Sequence, residues 1–125
     1  MRLTGQGLAV IGAGAWGTAL AIHAARAGHA PRLWVYEPDL LALLREAREN
    51  PWFLPGIRLP EAVRPVGSLA EAAAEAELVL VAVPSHVVRR VAADLGPHLA
   101  PGAALLSAAK GIEEVSHAQI GRAHV

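Results

Sequence analysis

The stretch "GLAVIGAGAWGTALA", residues 7–21, limits what this chain can fold into more than any other. Leu8 to Ile11 form a continuous apolar run, followed at once by Gly12, Gly14 and Gly17 and then by a segment rich in Ala and Leu. A run without polar alternation reads as a strand buried on both faces. Such a strand needs a helical layer on each side, which an α/β architecture supplies.

The rest of the chain keeps the same rhythm. Residues 15–29 predict a helix closed at Gly28, since Gly just after a helix takes the left-handed cap conformation. Residues 32–37 read as a strand, and residues 38–50 as a helix opened by Pro38 and Asp39 with leucines at helical spacing. The proline-rich residues 51–65 read as a loop, with a short strand at its end left open. Residues 68–76 predict a helix started by Ser68 or Glu71. "ELVLVAVP", residues 77–84, is the strongest strand signal. Residues 85–99 predict a helix capped by Ser85 and closed by Gly96 and Pro97, and residues 103–110 a last short strand. Strands and helices in alternation imply right-handed crossovers and a doubly wound, Rossmann-type parallel sheet. The expected organisation is one domain over residues 1–115. Residues 116–125 match no element and read as an irregular tail, a non-native origin being left open.

Composition narrows the function classes. Eleven basic and eleven acidic side chains cancel, and no basic block stands out, so neither nucleic acid nor an anionic membrane is an expected partner. Cysteine is absent, which removes disulfides and thiolate metal sites. No apolar run reaches the roughly 18 residues of a membrane span, and nothing reads as a signal peptide. A soluble cytoplasmic protein is expected. The six histidines show no metal-ligand spacing, and no metal is expected.

Gly12, Gly14 and Gly17 make the G-x-G-x-x-G pattern between a strand and a helix, the context in which it is informative. Gly12 allows the tight turn, Gly14 lets backbone approach a pyrophosphate, and Gly17 lets helix pack on strand. The helix N-terminus then offers free N–H groups and a dipole to the phosphates. Glu37, at the end of the second strand, stands where a carboxylate reaches the adenine ribose. It repels a 2′-phosphate and so favours NAD, NADP being left open. Tyr36 can lie along the adenine. Pro84, at the end of the strongest strand, offers the cofactor an apolar edge without an N–H. Ser85 reads as a cap rather than a nucleophile, and His86 as a solvated first-turn residue. Lys110 is the only lysine beside ten arginines, and it falls at the same sheet edge as the glycine turn. A compact, hydrated charge on a flexible stem suits it to a crevice.

Taken together, "VIGAGAWGTALA", "LWVYEPD", Asn50, "FLPG" at 53–56, "VAVPSH" and "AAKGIE" resemble the N-terminal domain of the NAD(P)-dependent glycerol-3-phosphate dehydrogenases, over about residues 8–114. The resemblance implies reduction of dihydroxyacetone phosphate to glycerol 3-phosphate with NADH or NADPH, feeding phospholipid synthesis. It implies that Ala15 and Trp16 contact the cofactor, that Tyr36 and Glu37 face its adenosine end, and that Lys110 touches cofactor and substrate. Many bacterial members carry His or Arg where this chain has Tyr36, which puts NADP use in doubt. The family's catalytic lysine belongs to a C-terminal helical domain not found in this sequence. No catalytic residue is therefore assigned, and the chain alone is expected to be inactive. A homo-oligomer of a full-length protein stays open. The alternatives are a stand-alone dinucleotide-binding module, or the cofactor domain of a related hydroxyacid or 6-phosphogluconate-type dehydrogenase.

Overall fold

The computed structural model describes residues 7–108. Strand β1 (Leu8–Ile11) leads through the glycine turn into helix α1 (Ala15–Arg26). Strand β2 (Arg32–Trp34) and helix α2 (Pro38–Ala47) follow, then a small antiparallel hairpin of β3 (Glu49–Asn50) and β4 (Leu54–Arg58). Next come β5 (Arg64–Val66), α3 (Leu69–Ala73), β6 (Leu78–Val81), a 3-10 turn (Ser85–Val87), α4 (Val88–Leu95), a second 3-10 turn (Gly96–His98) and β7 (Ala104–Ser107). The main sheet runs β5-β2-β1-β6-β7 with every pair parallel. This is the expected doubly wound, Rossmann-type sheet. The expected domain end at residue 115 and the tail beyond it lie outside the described residues.

The apolar runs explain the layers. All four residues of β1 are buried, Ala9 and Ile11 on one face and Val10 on the other. On the Val10 face, Ala21 and Ile22 of α1 and Leu40 and Leu44 of α2 pack with Leu33 and Val35. On the opposite face, Ala72 and Ala73 of α3 and Val91 and Leu95 of α4 pack with Trp34, Val66, Val79 and Val81. Leu40, Leu44 and Leu95 are wholly buried, each contributing about 1.5–3 kcal/mol.

Local chemistry sets the boundaries. Helix α1 closes as expected, with Gly28 at φ +100°. Ser68 caps α3 by accepting from the Glu71 N–H at 3.0 Å. Four expectations need correction. The helix read over residues 38–50 stops at Ala47, because Arg48 takes the left-handed conformation at φ 55°. Its guanidinium then donates to the Pro60 and Val63 carbonyls, at 2.6 and 2.9 Å, and holds the returning chain. The segment read as a loop carries β4, while the short strand left open at its end is β5. Ser85 caps nothing with its side chain: it opens a 3-10 turn, and α4 starts only at Val88. Gly96 is right-handed and continues into the second 3-10 turn rather than ending the helix in a left-handed cap.

Asn50 ties the hairpin to the sheet. It is fully buried. Its Nδ2 donates to the Ala13 carbonyl at 2.7 Å and to Thr18 Oγ1 at 2.9 Å, and its Oδ1 accepts from the Phe53 N–H at 3.1 Å. Removing a partner leaves a buried polar group bare, the costly half of the hydrogen-bond balance. Asn50→Ala should therefore cost about 2–4 kcal/mol in urea unfolding. A loss under about 0.5 kcal/mol, the size of an ordinary surface substitution, would show that the knot does not hold the hairpin.

Candidate functional site: the glycine turn and its crevice

The register places Ile11, Trp34, Val66, Val81 and Ser107 at one level across the sheet. The residues after them form its carboxyl edge. From β1 the chain leaves toward one face and from β6 toward the other. The two strands are neighbours, so the crevice between their ends is the topological switch point where such sheets bind ligands.

The three glycines at that point answer to different constraints. Gly12 sits at φ +121°, and a Cβ there would meet the Ala82 backbone and Val83 Cγ1 at 3.0 Å. A Cβ on Gly17 would lie 1.8 Å from the Gly12 carbonyl oxygen. Both residues are required by the protein's own packing. Gly14 differs: a Cβ there meets no atom within 4 Å, and its φ of −73° is open to any residue. The space beside Gly14 is what a closely approaching ligand would use.

Helix α1 starts directly at this space. The N–H groups of its first turn have no carbonyl inside the helix to bond. No acidic residue stands in that turn, and Gly14, the N-cap, has no side chain to fill the position. The end is thus positively polarised and uncompensated by local carboxylates. Ala15 and Trp16 are exposed there. The Trp16 indole N–H donates to the Ala108 carbonyl, which latches the first turn of α1 to the end of β7.

The other expected residues gather on the same edge. Tyr36 is 75% exposed and meets Trp34 edge to face, with ring centroids 5.9 Å apart. Glu37 is the N-cap residue of α2, where its carbonyl accepts from the Leu41 N–H at 2.9 Å. Its carboxylate makes no capping bond. Pro84 is exposed just past β6. Lys110 lies outside the described residues. The sequence reading assigned no role to Asn50 or Thr18, whose buried bonds fix the Ala13 carbonyl inside the glycine turn. Asn50 enters the sequence reading only as one residue of the family resemblance, with nothing in the sequence around it to show its burial. Trp52 and Phe53, which follow Asn50, are 47% and 44% exposed.

Comparison with known proteins agrees with this geometry. The family described as NAD-dependent glycerol-3-phosphate dehydrogenase N-terminus matches residues 7–123. The glycerol-3-phosphate dehydrogenase [NAD(P)+] of Citrifermentans bemidjiense is 50% identical over 106 residues, 85% of this chain and 32% of that protein. The enzyme of the same name from Azorhizobium caulinodans is 53% identical over the same shares. Among solved structures, glycerol-3-phosphate dehydrogenase from Coxiella burnetii superposes with a TM-score of 0.79 at 30% identity, over 91% of this chain and 37% of that one. The chain thus spans about a third of the length of the curated relatives it matches. It belongs to the NAD-dependent glycerol-3-phosphate dehydrogenase family, in the N-terminal part.

Proposed function

We propose that this chain is the dinucleotide-holding part of an enzyme that reduces dihydroxyacetone phosphate to glycerol 3-phosphate. The observation that carries the reading is the contrast among the glycines. Gly12 and Gly17 are explained by packing, whereas Gly14 faces open space at a helix N-terminus. The residues present fit the cofactor. The α1 N–H groups and the Gly14 backbone would take the pyrophosphate, Ala15 and Trp16 its flank, Tyr36 and Glu37 the adenosine end, and Pro84 the apolar side of the crevice. A bound nicotinamide would supply the hydride. Lys110 would hold the substrate oxygens next to it as a single compact charge. No residue of this chain is assigned the catalytic proton transfer, and turnover belongs to a protein of the relatives' full length.

Three measurements test this reading. Gly14→Val should abolish NADH binding, followed by fluorescence, while the fold is retained, because a Cβ there meets no protein atom within 4 Å. Equal NADH affinity in the two proteins would remove the turn from the site. Binding of NADH should exceed that of NADPH, since Glu37 sets like charge against a 2′-phosphate, and Glu37→Arg should shift preference toward NADPH. If the unchanged chain takes NADPH at least as well, the carboxylate does not face the ribose. Lys110→Arg in a full-length family member bearing this sequence should lower dihydroxyacetone phosphate turnover about 100-fold, the scale of one lost oriented contact. Unchanged steady-state kinetics would return Lys110 to the surface.

A further inference from the structure

The opposite edge of the sheet holds a second concave site. A cleft of about 470 Å³ opens at the amino ends of β2 and β5. Its charged lining is Arg32, Arg45, Arg48 and Arg64 against Glu61 and Glu71. A chain whose charges cancel overall thus concentrates a positive excess in one recess.

How those arginines are held is informative. Arg32 and Arg64 are register partners on adjacent parallel strands, so two like charges stand side by side. Like charges placed directly opposite destabilise a sheet. Burial first, and then the neighbouring Arg64, hold the Arg32 guanidinium below its usual range, with Glu75 and Glu71 opposing. Glu71 pairs with Arg64 at 3.5 Å. Arg45 and Arg48 donate instead to main-chain carbonyls. Arg45 reaches the Pro65 oxygen at 3.3 and 3.4 Å, and Arg48 reaches the Pro60 and Val63 oxygens. Carbonyl partners orient a guanidinium without cancelling its charge.

We propose that this cleft binds a small phosphate-bearing anion, at a site separate from the glycine turn. The chemistry favours phosphate over a single carboxylate. Arginines from β2, β5 and the end of α2 line the one cleft, and a tetrahedral polyanion can accept from more than one guanidinium at once. Glu61 and Glu71 in the lining oppose any anion and hold the affinity to a moderate level. The rim is open, with the Arg64 side chain 68% exposed, so binding weakens steeply with added salt.

The test is calorimetric titration of the 125-residue chain at low ionic strength with inorganic pyrophosphate, inorganic phosphate and citrate. Pyrophosphate should bind at the cleft more tightly than phosphate or citrate, whatever share of the probe the glycine turn also takes. Gly14→Val should leave that binding in place, because the added side chain sits on the other edge. Arg45→Gln with Arg64→Gln should weaken it at least about tenfold, the loss expected for charge-assisted contacts. Arg64→Gln alone, at an exposed position, serves if the double variant does not fold as judged by circular dichroism. Pyrophosphate binding lost in Gly14→Val would assign the probe to the glycine turn and overturn the proposal. So would binding indifferent to the arginine changes, citrate binding as tight as that of pyrophosphate, or no saturation below about 10 mM, far weaker than a specific site gives.

Discussion

The close approach of helix α1 to strand β1 is the contact on which the rest depends. The Gly17 Cα faces the Gly12 carbonyl oxygen so closely that one methyl group would lie 1.8 Å from it. That approach brings the first turn of α1 to the sheet edge, above the junction of β1 and β6. It also explains why Gly12 must take φ +121°, since only then does the chain reverse quickly enough to bring Gly17 back over it. Thr18, one residue further, is drawn into the interior, where its hydroxyl meets Asn50. The glycine turn is thus clamped from below by Ala82 and Val83 and from the side by Asn50. A rigid turn of this kind can present N–H groups to a ligand without ordering itself first, which is what preorganised binding requires.

Much of this was legible in the sequence. The apolar runs of β1 and β6 lack polar alternation, and the order of strands and helices fixes parallel crossovers. The crevice residues Gly12, Gly14, Gly17, Tyr36, Glu37 and Pro84 follow from those strand ends and come together at one edge. The hairpin was not legible. Its strands are short, carry Pro55 and Gly56, and show no alternating pattern, because most of β4 is exposed and only Leu54 packs inward. Its register depends on Asn50 and Arg48, whose bonds reach main-chain carbonyls distant in sequence. Ser85 misled for a related reason. A serine after a strand has the residue type of a cap, but Pro84 and the 3-10 turn set the entry to α4 before any side-chain bond forms.

Helix α2 connects the two ends of the molecule. Its first turn carries Glu37 and Asp39 at the crevice, and its last turn carries Arg45, with Arg48 beyond, at the opposite cleft. Acidic residues at the N-terminus and basic ones at the C-terminus both interact favourably with the helix dipole. The helix therefore tolerates a carboxylate left free of capping duty at one end and guanidiniums bound only to carbonyls at the other. Ten residues of α-helix are about 15 Å long, beyond the roughly 8–10 Å over which exposed charges interact at ordinary salt. An anion held near Arg45 would accordingly have little direct electrostatic effect on Glu37. Any influence of one site on the other must pass through packing. The available path is Leu40 and Leu44 against Leu33 and Val35, the buried face on which α2 rests, and a close-packed interior transmits displacement along such a face with little give.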